Sequence, residues 1–354
     1  MINRQVKMLL ITVVILFVIT ACNTEEDQDT NNEKQDILAS EEDSSPTNSA
    51  ETDDTENVED NQTDQLIVPK AGIQKKDEGE EVLSLQQALN SIGYDIAEDR
   101  TFDAETTWAI TDLQLQQDSL MATGVFDKDT KQVLETLITN KHTVQPGEGL
   151  EKKTETVTTD YGSTILANPY DQLALINKQH ALPSDYIPED LVIPDVRFPF
   201  PEDYPKKQMR EVAANALEEL FKAAEEEGYY LYAQSGYRAY DTQQSLFASY
   251  VEDHGEQEAN TFSARPGESE HQSGLTMDIT SESAEFLLNE TFGKTEEGKW
   301  VEENAAEYGF IIRYPRGKEE VTEYQYEPWH IRYVGKKAAV EIMEKGMTLE
   351  EYLK

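Results

Sequence analysis

His271 and Asp278 stand in Ser-Ala-Arg-Pro-Gly-Glu-Ser-Glu-His-Gln-Ser-Gly-Leu-Thr-Met-Asp-Ile (263–279), and Glu327 and His330 in Glu-Pro-Trp-His (327–330). Two imidazoles and a carboxylate can bind Zn²⁺ and leave a coordination position open for water, as a catalytic rather than a structural zinc site does. A further carboxylate three positions before the last imidazole can serve as base to that water. The chemistry these groups suggest is hydrolysis, and the rest of the chain reads as delivery of the site to its substrate.

The flanking patterns predict how the groups are positioned. Gly274 lets the backbone turn tightly after His271, and Leu275–Ile279 reads as a strand that returns Asp278 beside it. In a strand Asp278 and Thr276 share a face while Met277 and Ile279 pack on the other. Upstream, Lys207–Glu227 is amphipathic, with Val212, Ala216, Leu217, Leu220, Ala223 and Ala224 on one side, and predicts a long helix ended by Gly228. Tyr229–Ser235 reads as a strand, and Gly236-Tyr237-Arg238 turns into a helix over Tyr240–Val251. Trp300–Tyr308 and Lys336–Lys345 read as helices, Gly309–Tyr314 and Trp329–Val334 as strands. Helices and strands mix without a regular βαβ alternation, so the expected class is α+β, a small antiparallel sheet flanked by helices.

Composition excludes some functions. The formal net charge of −41 argues against nucleic acid, which demands clustered Lys and Arg. One cysteine, Cys22, rules out an intramolecular disulfide and a cysteine-based metal site. Residues 22–79 are rich in Asp, Glu, Asn, Thr, Ser and Gln, too poor in apolar surface to offset ordering entropy, and are expected to be a disordered acidic tether. As a flexible coil it would span on the order of 40 Å, and like charges would extend it. From 80 to 140 the pattern is globular: Val82, Leu85, Leu89 and Ile92 recur at helical spacing. Phe102-Asp103-Ala104-Glu105-Thr106 is echoed by Phe126-Asp127-Lys128-Asp129-Thr130, each Asp placed to cap the helix after it. A small three-helix unit is expected there, then a linker over 141–165 and a second globular region over 166–354, whose first part is punctuated by Pro183 and Pro188.

Three resemblances bear on function. Arg4 and Lys7, the apolar run Met8–Ile19 and the ending Ile19-Thr20-Ala21-Cys22 resemble a bacterial lipoprotein signal over residues 1–21, the run being short of the roughly 20 residues a membrane span requires. This implies lipidation at Cys22 and a mature protein held by its acyl chains to the outer face of the cell membrane. Leu85-Gln86-Gln87-Ala88-Leu89, Gly93-Tyr94, Gly124 and the repeated Phe-Asp motif resemble the peptidoglycan-binding domain of wall hydrolases. Ser235-Gly236-Tyr237-Arg238, His271-x₃-Gly-x₃-Asp278 and Glu327-Pro-Trp-His330, in that order, resemble the VanY-type D-alanyl-D-alanine carboxypeptidases. These belong to a zinc peptidase group that includes D,D-dipeptidases and L,D-carboxypeptidases.

The last resemblance implies Zn²⁺ held by His271, Asp278 and His330, with Glu327 as general base and Arg238 stabilising the oxyanion. It implies substrate contacts from Ser269 and Gln243. Simpler roles remain beside these: Glu327 orienting His330, and Arg238 in a surface ion pair. Glu268 is expected to add negative charge near the site. The expected activity is removal of the terminal D-alanine from peptidoglycan stem peptides. Its rivals are L,D-carboxypeptidase action on tetrapeptide stems, endopeptidase action on cross-links, and a non-catalytic wall-binding lipoprotein.

Overall fold

The computed structural model describes residues 66–354. The signal segment, Cys22 and the tether up to residue 65 lie outside the described residues.

Three helices of equal length come first: α1 (Glu80–Ser91), α2 (Ala104–Leu115) and α3 (Lys128–Thr139). The Asp103 carboxylate accepts from the N–H groups of Glu105 and Thr106, and that of Asp127 from Thr130, so both echoed aspartates cap as expected. Leu85, Leu89, Phe102, Ile110, Leu113, Phe126 and Leu134 are fully buried at the centre of this unit. Its boundaries differ from the compositional reading at both ends. Ile73 bridges to Phe126 and is buried with the helices, although it sits in a polar run assigned to the tether. At the other end the buried Asp112 carboxylate accepts from the N–H groups of Gly149 and Leu150, fastening the start of the supposed linker onto α2. A few apolar side chains and one buried acceptor decide both cases, and windowed composition averages them away.

The second region carries two short strand pairs, β1 (Thr164–Ile165) with β2 (His180–Ala181) and β3 (Leu191–Val192) with β4 (Met209–Arg210). Next come α4 (Glu211–Glu226), β5 (Leu231–Ser235), α5 (Tyr240–His254), α6 (Glu256–Phe262), β6 (Thr276–Ser281), α7 (Glu296–Asn304), β7 (Phe310–Tyr314), α8 (Glu319–Thr322), β8 (Glu327–Tyr333), α9 (Lys336–Lys345) and α10 (Leu349–Tyr352). The main sheet runs β5-β6-β8-β7, antiparallel throughout. The expected α+β class and small antiparallel sheet are what the chain forms.

One face of the sheet is covered by α4. Its Ala213, Leu217, Leu220, Phe221 and Ala224 pack with Leu231, Ala233, Met277, Ile279 and Ile331. Each large apolar side chain buried there contributes about 1.5–3 kcal/mol. The helix begins at Glu211 rather than Lys207, because Pro205–Lys207 form a 3₁₀ turn, Gln208 is extended and Met209–Arg210 pair as β4, so these residues spend their backbone groups elsewhere. Among the described residues no helix is long and apolar enough to cross a membrane.

Candidate active site

Asp278 sits in β6 with Ser235 of β5 on one side and His330 of β8 on the other. The sheet register thus makes a carboxylate and an imidazole cross-strand neighbours: His330 Nδ1 lies 3.0 Å from Asp278 Oδ1. His271 arrives from a 3₁₀ turn, Glu270–Ser273, which Gly274 reverses into β6 at φ 69°, a left-handed conformation that favours glycine. Its Nε2 lies 3.4 Å from Asp278 Oδ2. One donor atom from each of the three residues lies within 4.8 Å of the others, and all three side chains are buried.

The second nitrogen of each imidazole is also held. His271 Nδ1 meets the Gly236 carbonyl at 2.7 Å. An added Cβ at Gly236 would stand 2.4 Å from the Gln208 carbonyl, so this close approach admits glycine alone. His330 Nε2 faces Thr276 Oγ1 at 2.9 Å and Glu270 Oε2 at 3.3 Å. Imidazoles pinned from behind by a carbonyl or carboxylate are fixed in ring orientation and tautomer, as metal-ligating histidines are. Two ring nitrogens and one carboxylate oxygen converging from such a frame fit Zn²⁺.

The electrostatics are polarised. Burial pushes His271 down to about 3, with Arg238 adding to the effect. Burial would also lower His330, but hydrogen bonds to Asp278 and Glu270 outweigh it and raise the ring to about 9. Glu327 lies 4.0 Å from His330 Nδ1. Burial pushes its carboxyl up to about 7, against the pull of His330. A carboxyl balanced there suits a group that must take up a proton and give it back.

These residues line a cavity of about 490 Å³, together with Arg238, Gln243, Ser269 and Trp329. Arg238 Nη1 donates to Gln243 Oε1 at 2.8 Å and Nη2 to Ser235 Oγ at 3.3 Å. Gln243 is fully buried, and its Nε2 donates to the Ala264 carbonyl at 2.6 Å. Its amide therefore aims the guanidinium. All seven non-lipid site candidates from the sequence come together at this cavity. Glu268 does not line it: the side chain is buried against Ser163 Oγ.

Sequence reasoning missed the buried charges beneath His330. Glu270 Oε1 accepts from Arg313 Nε and Arg332 Nη1, each at 2.7 Å, and Arg313 reaches on to Glu350 of α10 through Nη1 and Nη2. These arginines hold the Glu270 carboxyl below the usual range despite its burial. A signal was present: one arginine in each of two otherwise apolar and aromatic strands, Phe-Ile-Ile-Arg-Tyr and Trp-His-Ile-Arg-Tyr.

Residues 206–336 match the family described as "VanY: D-alanyl-D-alanine carboxypeptidase", and residues 78–134 that described as "Putative peptidoglycan binding domain". Over 241 residues the chain is 50% identical to "Putative carboxypeptidase YodJ" of Bacillus subtilis (strain 168), covering 66% of this chain and 88% of that protein. It is 36% identical over 190 residues to a D-alanyl-D-alanine carboxypeptidase of Enterococcus faecalis, covering 51% of this chain and 65% of the relative. Among solved structures, the LdcB LD-carboxypeptidase, described as revealing the molecular basis of peptidoglycan recognition, superposes with a TM-score of 0.55. Its identity is 56%, over 56% of this chain and 92% of LdcB.

Proposed function

The chain belongs to the VanY family of carboxypeptidases, and from that premise we propose that it is a metal-dependent enzyme releasing the terminal D-alanine of peptidoglycan stem peptides. The preferred bond is the L,D bond of tetrapeptide stems. The observation that carries this preference is the 56% identity with an LD-carboxypeptidase over nearly all of that protein. The sequence had favoured the D,D bond of pentapeptide stems. That second reading retains the family's own description and the Enterococcus faecalis relative in its support.

His271 Nε2, an Asp278 carboxylate oxygen and His330 Nδ1 would hold Zn²⁺. When bound, the ion supplies Lewis acidity toward the scissile carbonyl and makes water a better nucleophile. Glu327 takes a proton from the attacking water as oxygen bonds to the carbonyl carbon. It returns that proton to the amine as the C–N bond breaks, so base and acid are one carboxyl. Arg238, aimed by Gln243 and Ser235, stabilises the charge developing on the carbonyl oxygen. Ser269 and Gln243 face the peptide from the cavity wall. The three-helix unit engages wall glycan, and lipidation at Cys22 holds the enzyme outside the membrane.

Incubating the protein with defined tetra- and pentapeptide muropeptides, with and without Zn²⁺ after chelation, tests the reading by mass spectrometry. Zinc-dependent loss of alanine from the tetrapeptide supports the L,D bond, and loss from the pentapeptide alone moves the assignment to D,D. No loss from either overturns the enzyme reading.

A further inference from the structure

The turn that connects α2 to α3 inserts two consecutive residues into the peptidase region, and each meets a buried group that leads to one of the two site histidines. The Ala122 carbonyl accepts from Arg210 Nη2 at 2.5 Å, and the Thr123 carbonyl from the Gln172 N–H at 2.9 Å. Arg210 is 1% exposed. Its other side-chain donors go to the Tyr170 carbonyl at 3.0 Å and the Asp190 carboxylate at 2.9 Å.

From Arg210 the connection runs to His271. The Arg210 N–H donates to the Gly274 carbonyl at 2.8 Å. An added Cβ at Gly274 would stand 2.9 Å from Arg210 Cγ, so side chain and loop are in close contact. Gly274 in turn donates its N–H to the His271 carbonyl at 3.3 Å. Just upstream, the Lys206 and Gln208 carbonyls accept from the Gly236 and Tyr237 N–H groups, and Gly236 is the residue whose carbonyl holds His271 Nδ1.

From Gln172 the connection runs to His330. Arg332 Nη2 donates to the Gln172 carbonyl at 3.1 Å, while Arg332 Nη1 bonds Glu270, the carboxylate behind His330 Nε2. Both imidazoles are therefore buttressed from one turn of the helical unit.

We propose that the Ala122–Thr123 turn belongs to the scaffold of the metal site, with Arg210 and Gln172 as positioning residues that make ligand geometry depend on docking of the helical unit. The proposal rests on the reading of His271, Asp278 and His330 as metal ligands. It gives the unit a second role beyond contact with wall glycan. The two backbone carbonyls cannot be removed by side-chain substitution, so the test acts on their donors: the Arg210 guanidinium by replacement of the side chain, and the Gln172 backbone N–H by proline, which lacks it.

In the full chain, zinc affinity would be measured by competition with a chromophoric chelator, alongside thermal unfolding, for the wild type and for Arg210→Met, Arg210→Lys, Gln172→Pro, His271→Ala and Leu134→Ala. Outer groups that orient metal ligands typically change affinity by about 10–100-fold. The expected result is a zinc dissociation constant raised about tenfold by Arg210→Met and by Gln172→Pro, with partial recovery in Arg210→Lys. Leu134→Ala, which loosens the core of the helical unit away from the turn, should lower the melting temperature and leave affinity unchanged. If Arg210→Met or Gln172→Pro does not fold, the remaining one of the two and Arg210→Lys decide. Wild-type affinity in folded Arg210 and Gln172 variants overturns the proposal, as does an equal loss in Leu134→Ala, which would mark general destabilisation. Failure of the metal reading looks different: the wild type itself would bind no zinc, or His271→Ala would bind it as tightly.

Discussion

Glu270 lies 3.3 Å behind Nε2 of His330, the nitrogen turned away from Asp278, and is itself clasped by Arg313 and Arg332. A fully buried carboxylate between two buried arginines is costly to disturb, since removing one partner of such a pair typically costs about 3–5 kcal/mol. Glu270→Gln should therefore lose stability of that order in denaturant unfolding. It should also bind zinc more weakly than the wild type in chelator competition.

Glu327→Gln should separate binding from chemistry. The side chain stands outside the three-ligand cluster, so zinc content by elemental analysis should stay near that of the wild type. Turnover should fall by about 10²–10⁴-fold, the usual worth of a positioned general base. A loss of zinc together with activity would instead make Glu327 a structural partner of His330.

Arg238 and Gln243 should behave as a graded pair. Arg238→Met removes the charge facing the carbonyl oxygen, and a drop in kcat of about 10²–10³-fold is expected, as for loss of one oxyanion donor. Gln243→Ala leaves the guanidinium in place without its 2.8 Å acceptor, so a smaller loss is expected. The double variant should be little worse than Arg238→Met, because the two side chains act as one unit. Steady-state kinetics on a single muropeptide would read all three.

Glu268 offers a pH test away from the metal ligands. Burial raises its carboxyl above the ordinary value. A group raised in the folded state contributes stability that is fully present below its unfolded value, about 4.3, and is lost as pH rises through the folded value. Replacing it with Gln removes that dependence. The melting temperature of Glu268→Gln relative to the wild type should therefore climb across the pH range just above 4.3, and a constant difference would contradict it.

The catalytic elements were legible in the sequence because their residues carry periodicity and chemistry at once. The alternation through Thr276-Met277-Asp278-Ile279 separates core from site, and the structure keeps that division, with Met277 and Ile279 in the core cluster. Helix α9 runs over the expected residues because its apolar stripe is uninterrupted. The brace at 206–210 was not legible. Its Lys-Lys-Gln-Met-Arg composition continues smoothly into α4, while its backbone groups are claimed by Gly236, Tyr237 and Gly274, partners distant in sequence. Charge pairing was hidden for the same reason: nothing local to Arg210 names Asp190 or the Ala122 carbonyl as its destination.

Glu350 supplies both acceptor oxygens for the Nη groups of Arg313, and Arg313 secures the carboxylate behind His330. A chain leaving the ribosome, or threading across a membrane amino end first, presents His271, Asp278 and His330 well before that last counter-charge emerges. Until residue 350 is out, the Nη groups of Arg313 lack their acceptors, and Glu270 alone pairs with its guanidinium. The seat of His330 thus draws on a residue that follows all three ligands in the chain, and proteolytic trimming into α10 is expected to loosen that seat without touching any residue that lines the cavity.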